Sequence, residues 1–305
     1  MEWVTSFLAT TIVMATPMLV AAIGTLLVER SGIINIGNEG LMLTGAFMGV
    51  MGSWLTGSAF WGAIFAMMGS AVIGMIFAFF TITLRANQVV SGLAINAMAS
   101  GLTILLNRMV FGIDGSIPRI AVYQRIPIPF LSNIPVLGPT FFNQTAVAYF
   151  AIIMVPLLAF ILKRTNIGLK LRSVGENPKA CDSLGINVIR VRYLALLFGS
   201  MMAGLGGSFI SIGHLSFFTE GMISGRGYMT LAAVVFGNFT PSGVLMACLL
   251  FGAVESMQYR IHASSLGIPY QLLVMLPYLV TVLALCLYRR LSNAPSSSGI
   301  PYVRQ

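Results

Sequence analysis

Long apolar runs, broken at intervals by short polar stretches, dominate the chain. A membrane-crossing helix needs about 20 mostly apolar residues. Nine segments approach this: 4–27, 39–57, 60–84, 88–110, 144–162, 191–213, 227–239, 242–258 and 270–288, of which 227–239 is short. The pattern predicts an all-α polytopic membrane protein with about nine spans, in a range of eight to ten. The apolar run Phe7–Val28 has no basic stretch before it and no clear small-residue cleavage site. It therefore reads as the first span, not a cleaved signal.

The main polar interruption is Lys163–Arg192, which holds seven of the seventeen Lys and Arg residues and two of the eight acids. Its centre, Glu176-Asn177-Pro178-Lys179-Ala180-Cys181-Asp182-Ser183-Leu184-Gly185, predicts a short capped helix. Asn177 can accept a bond from a free amide of the first turn. Pro178 suits the first helical position, and Gly185 suits the left-handed residue that closes a helix. Helical spacing predicts an apolar face of Ala180, Cys181 and Leu184, with Lys179, Asp182 and Ser183 more exposed. Such a rod is too short to cross a bilayer and too well capped for a casual linker, and a cytoplasmic partner could grip it.

Composition agrees with the pattern. Of 305 residues, 57% are hydrophobic and 8% charged, against about 25% charge in a soluble domain. The net charge of +9 sits at helix ends, which speaks for topology and not for nucleic acid. With 163–192 in the cytoplasm, twelve Lys and Arg residues fall inside and five outside. That puts the N-terminus outside and the C-terminus in the cytoplasm. The chain then divides into one transmembrane domain, 1–291, and a Ser- and Pro-rich tail, 292–305, expected to be disordered. The long outer loop, 111–143, has five prolines and many apolar residues. It is expected to be ordered, as a rim on the membrane or as a packed connector.

Polar residues inside the apolar segments are the candidate pathway. In 29–46, Gly32, Gly37 and Gly40 interrupt the helix around Asn35, Asn38 and Glu39. Irregular backbone at membrane depth is tolerated where protein or a water-filled cavity surrounds it. These residues either line a pathway or hold its wall, with Glu39 paired to Arg30 or to a backbone amide. Asn87, Gln88, Ser91 and Asn96 open the fourth span. They either contact a hydroxylated solute or join helices. Glu255 is expected to pair with Arg260, and His214 and His262 read as ordinary loop residues. Cys181, Cys248 and Cys286 are far apart and form neither a disulfide frame nor a metal site. No GxxxxGK[ST] motif and no nucleophile–base pair stands out, so neither an ATP site of that kind nor an enzyme is indicated. Gly-rich stretches such as Gly204-Leu205-Gly206-Gly207 suit close helix packing. Finally, 39–46 echoes 226–233 in spans two and seven. Spans five apart run in opposite directions, as in the inverted repeats of many transporters.

Three stretches carry a family resemblance: ERSGIINIGNEGLMLTGAF (29–47), LRSVGENPKACDSLGINVIRVR (171–192) and GRGYMTLAAVVFGNFTPSGVLMACLLFGAVESM (225–257). Together they resemble the permease subunits of bacterial ABC importers for simple sugars and nucleosides, the ribose/galactose-type branch. Within it they are nearest the nucleoside permeases that work with basic-membrane-lipoprotein binding proteins. The resemblance implies a vitamin-B12-importer-like fold, with ten spans in full-length form, so nine would fit loss of the first. It places the ATPase-coupling element on Gly175, Glu176, Asn177, Pro178, Ala180 and Gly185, with Cys181 where the family usually has Ala. It implies a bacterial plasma (inner) membrane location, surrounded by lipid. The implied partners are a second permease, of the same or a different homologous chain, a cytoplasmic ATPase subunit that hydrolyses ATP, and an extracytoplasmic solute-binding lipoprotein. The chain itself would need no cofactor. A second possibility is an ion- or proton-coupled secondary transporter, which needs an ionisable relay within the spans. Glu39 and Glu255 are the candidates for that relay.

Overall fold

The computed structural model describes residues 2–112, 120–129, 132, 137–263, 270–287 and 293–303. It is almost entirely helical. The first four helices are α1 (Glu2–Arg30), α2 (Asn38–Thr56), α3 (Ala59–Ala78) and α4 (Gln88–Phe111). A short hairpin of β1 (Arg125–Pro127) and β2 (Asn143–Thr145) brackets the small α5 (Leu137–Phe141). There follow α6 (Ala146–Arg164), α7 (Asn166–Glu176), α8 (Pro178–Ser183), α9 (Val188–Ser208), α10 (Arg226–Phe236), α11 (Pro241–Ala263) and α12 (Tyr270–Leu287). Helices α3 and α9 continue into π-helical stretches, Phe79–Thr83 and Phe209–Leu215. Among the described residues, six helices are long and apolar enough to cross a membrane: Trp3–Arg30, Ala59–Thr83, Gln88–Phe111, Ala146–Arg164, Val188–Leu215 and Pro241–His262. The chain is a multi-pass membrane protein.

Helices α1 and α9 form the centre. They are apolar all round and largely buried inside the protein, the signature of a core helix. Glycines let the neighbours close in on α9. A Cβ on Gly206 would lie 2.6 Å from the Pro17 carbonyl oxygen of α1, and one on Gly207 1.9 Å from that of Met42 in α2. A Cβ on Gly204 would lie 2.4 Å from the Ala66 carbonyl oxygen of α3. Three glycines within four residues thus serve three partners. With lipid as apolar as leucine, close backbone packing is what holds such helices together. Serines add to it where the backbones meet: Ser70 Oγ donates to the Leu41 carbonyl and Ser211 Oγ to that of Ala46.

The outer helices α3, α4 and α6 turn apolar side chains outward, among them Met68, Val72, Val90, Met109, Ile153 and Phe160. In water this surface would be an aggregation hazard; in a bilayer it meets lipid or another apolar chain. Within 111–143, two described residues are tied to the helices while most of 121–129 is exposed. Tyr123 donates its N–H to the Ile212 carbonyl and shares a hydroxyl bond with Ser208. Ser53 Oγ donates to the Ala121 carbonyl. The rest of this loop, 113–119, 130–131 and 133–136, lies outside the described residues.

The tail departs from expectation. Residues 292 and 304–305 lie outside the described part, but 293–303 are packed against the body. Pro295 and Ser297 are buried, and Ser297 N–H donates to the Gly175 carbonyl at 3.0 Å. Composition suggested disorder; backbone pairing to glycine carbonyls far away in sequence orders the segment instead.

Candidate functional site

Two polar assemblies stand out. The first joins the N-terminal turns of α2 and α10, the two segments that echo each other in sequence. The Glu39 carboxylate accepts from the N–H groups of Gly225 at 2.8 Å and Gly227 at 2.7 Å. These are orphan donors of the first turn of α10, where the helix dipole also favours a negative charge. The contact requires glycine, since a Cβ on Gly227 would sit 2.4 Å from the Glu39 Cα. Beside it Asn38 Nδ2 donates to Thr230 Oγ1. From α4, Asn96 Oδ1 accepts the Gly40 N–H at 2.8 Å, while its Nδ2 donates to the Ile36 carbonyl and the Tyr228 hydroxyl. Glu39 therefore pairs with backbone amides. Arg30 instead donates Nε and Nη2 to the Phe239 carbonyl, at 2.9 and 2.7 Å.

The structure distributes the other candidates as follows. Asn35 is fully buried, and neither of its side-chain polar atoms has a partner among the described residues. Asn87 is the N-cap of α4, accepting from the amides of Val89 and Val90. Gln88 accepts the Ile34 N–H at 2.8 Å. Ser91 is half-buried one turn on from Asn87. So Asn38, Glu39 and Asn96 meet in one junction. Asn87 and Gln88 fix the entry to α4, and Asn35 lies in the broken stretch before α2.

The neighbouring cavity joins residues that the sequence alone does not bring together. Glu255 pairs with Arg226 at 3.1 Å, not with Arg260, and both partners are largely buried. Arg260 sits over the Trp3 and Phe7 rings and donates to Ser6 Oγ. His214 lies in the π-helical end of α9, its ring 6.4 Å from that of Tyr259. A cavity of about 290 Å³ opens here, lined by His214, Arg226, Glu255, Gln258, Tyr259 and Tyr278 among others. The available signal was Arg226 itself, a lone cation opening an otherwise apolar helix, whose burial demands a carboxylate partner.

The second assembly is the island. The turn between α6 and α7 is tight: Thr165 Oγ1 caps Gly168 N–H at 3.2 Å, and a Cβ on Gly168 would lie 2.2 Å from the Ile161 carbonyl oxygen. Helix α8 follows α7 after a single residue. Asn177 Oδ1 accepts the Ala180 N–H at 3.1 Å, and Pro178 occupies the first turn. Gly185 closes the helix with φ +80°, and Ile186 N–H turns back to the Cys181 carbonyl. The helical face differs from expectation. Cys181 is buried on Val174 and Val188, while Ala180 is exposed and Leu184 is 81% exposed. Asp182 is half-buried. Leu184 lies past the last helical turn, where the chain folds back and carries it outward. Ile167 and Leu169 of α7 are exposed as well. Gly175 has no room for a side chain, since a Cβ would lie 2.2 Å from the Arg30 carbonyl oxygen. Glu176 accepts from Ser296 of the tail.

The described residues thus form a packed body of apolar helices that carries a short, capped polar helix, α8. Residues 7–285 match the family described as the branched-chain amino acid transport system / permease component, and the chain belongs to that family. It is 39% identical over 306 residues to the guanosine ABC transporter permease protein NupQ of Bacillus subtilis, covering 96% of this chain and 95% of that one. It is 37% identical over 307 residues to the nucleoside ABC transporter permease protein NupC of Lactococcus lactis, covering 97% and 96%. A second guanosine permease of that Bacillus, NupP, is more distant, 25% identical over 256 residues, 82% of this chain and 72% of that one. The chain is a permease subunit of an ABC importer, not an enzyme.

Proposed function

We propose that this subunit forms half of a nucleoside translocation path and takes its driving force through α8. The observation that carries the coupling role is the presentation of α8: a six-residue helix, capped at both ends, with Leu184 81% exposed at its tip. An apolar side chain held out on a rigid, polar element is what a partner groove can seat. Gly175, Glu176, Asn177, Pro178, Ala180 and Gly185 are the residues assigned to this element. Gly175 and Gly185 serve by conformation, Asn177 and Pro178 by capping, and Ala180 by contact.

For the path, the bonding of Asn38, Glu39 and Asn96 supports a wall role, since their polar atoms are largely spent on holding α2, α4 and α10 together. Asn35 keeps its hydrogen-bonding capacity, and Asn87 and Ser91 sit at the mouth of α4. The polar cavity beside Arg226 and Glu255 offers a solute both hydrogen-bonding groups and aromatic faces. The full arrangement would have nine spans related by an inverted repeat, the N-terminus outside and α8 in the cytoplasm of a bacterial inner membrane. A second, different permease chain completes the pair, as the two Bacillus permeases suggest. An ATPase docks on α8, and a solute-binding lipoprotein delivers nucleoside from outside.

The test is reconstitution with the ATPase and second permease in liposomes. Radiolabelled nucleoside should accumulate when ATP and the binding protein are both present, and pentose should accumulate less. Accumulation driven by an ion gradient without the ATPase would overturn the reading in favour of a secondary transporter.

A further inference from the structure

The tail 293–303 is tied to five places that the chain order keeps apart: the end of α1, the stretch before α2, the end of α7, α9 and the turn after α10. Asn293 N–H donates to Asn238 Oδ1 at 2.8 Å, and its carbonyl accepts from Arg30 Nη1 at 3.4 Å. Ser296 Oγ donates to Glu176 Oε2 at 2.8 Å, and its N–H reaches the same oxygen at 3.3 Å. Ser297 donates through both N–H and Oγ to the Gly175 carbonyl. Gly299 N–H donates to the Gly32 carbonyl at 3.2 Å, and Arg192 Nη1 to that of Ile300 at 3.4 Å. Tyr302 packs on the Val174–Cys181–Val188 cluster beneath α8. Two glycines leave room for the strap. A Cβ on Gly175 would lie 3.2 Å from Pro295 Cβ, and one on Gly32 2.7 Å from Ser297 Oγ.

The positions of these anchors carry the argument. Gly175 and Glu176 end α7, directly before α8. Gly32 opens the broken stretch leading into α2. Asn238 lies in the turn leaving α10, a turn whose residues Asn238 and Phe239 both hold positive φ, at +50° and +55°. Helices α2 and α10 are themselves joined by Glu39. One segment thus reaches from the base of α8 to the approach of α2 and to the far end of α10, the two helices that the Glu39 junction joins.

We propose that residues 293–303 are a coupling strut, which passes displacement of α8 to α2 and α10 through the Glu176–Ser296 and Gly175–Ser297 contacts. Glu176 is then a positioning residue that acts through the strap. The inference rests on the reading of α8 as the ATPase-docking helix.

The test uses the full reconstituted complex with Glu176→Ala, Ser296→Ala, the double variant and Glu176→Gln. Membrane abundance, solute carried per ATP, and crosslinking of a probe at Lys179 to the ATPase are read together. At unchanged abundance and crosslinking, Ser296→Ala should carry about tenfold less solute per ATP, the factor for one hydrogen bond to a charged group, and Glu176→Ala, which loses two bonds, should show at least as large a drop. The double variant should be no worse than Glu176→Ala alone, because removing the carboxylate already removes both bonds that Ser296 makes to it. Glu176→Gln should keep most coupling, since its amide oxygen still accepts from Ser296. Unchanged solute per ATP with the crosslink intact overturns the strut alone. So do additive losses, or losses that merely follow abundance. Absence of the Lys179 crosslink in the parent protein overturns the docking reading beneath it.

Discussion

Replacing Glu39 by Gln probes the junction between α2 and α10 with one atom changed. The carboxylate now accepts two amide N–H bonds, at 2.8 and 2.7 Å. Glutamine keeps one acceptor and turns its NH₂ toward the other amide. One hydrogen bond to a charged group is lost, about 1.5–3 kcal/mol, and its half-buried donor is left unmade. Loss of the charge at the N-terminus of α10 removes about 0.3–1 kcal/mol more. The total is roughly 2–4 kcal/mol, allowing for the partial exposure of Glu39. For a protein of this size, about 2–4 °C per kcal/mol predicts a midpoint about 5–15 °C lower. Thermal unfolding of the detergent-solubilised subunit, followed by size-exclusion of the surviving fraction, measures this. A midpoint within about 2 °C of the parent would mean that the two bonds contribute nothing net.

Further outcomes follow from other contacts. Glu255→Ala leaves Arg226 buried without its partner, about 3–5 kcal/mol, and the Glu255→Leu/Arg226→Met pair should recover most of the lost stability in the same assay. Leu184→Ala removes exposed apolar atoms that a partner would bury, about 2 kcal/mol at 0.8 kcal/mol per methylene. It should weaken ATPase binding roughly 30-fold in a pull-down titration while leaving the melting midpoint unchanged. Gly185→Val forces a β-branched residue into φ +80°. It should distort the end of α8 and cut ATP-driven uptake far more than Ser183→Ala does. Burial pushes the Cys181 thiol up from its ordinary range, so its thiolate is scarce at neutral pH. Maleimide should label Cys181 several-fold more slowly than a cysteine placed at exposed Ser183, and the gap should narrow as pH rises.

What could be read from the chain was what lay within a few residues. The caps of α8 need only Asn177, Pro178 and Gly185, neighbours along one turn, so the sequence declared them. The glycines of α9 announced close packing but not their partners, because Pro17, Met42 and Ala66 come from three helices. Distance along the chain defeated the rest. Arg260 looked right for Glu255 because it is near in sequence, while the actual partner, Arg226, is on another helix. The tail looked disordered because its own residues cannot form a core, and its order comes from carbonyls more than 100 residues earlier. The face of α8 was misjudged at Leu184 because helical spacing was carried one residue past the point where the helix ends. For Asn96 the sequence leaves solute contact and helix joining both open, because its partners, Gly40, Ile36 and Tyr228, come from distant segments.

The central claim is that a separate ATPase works this subunit through α8. A photo-crosslinking amino acid placed at Lys179, in cells expressing the whole transporter, tests it most directly. A single adduct with the ATPase subunit is expected, lost when Leu184 is replaced by Asp. An adduct with the extracytoplasmic binding protein would contradict it and invert the topology.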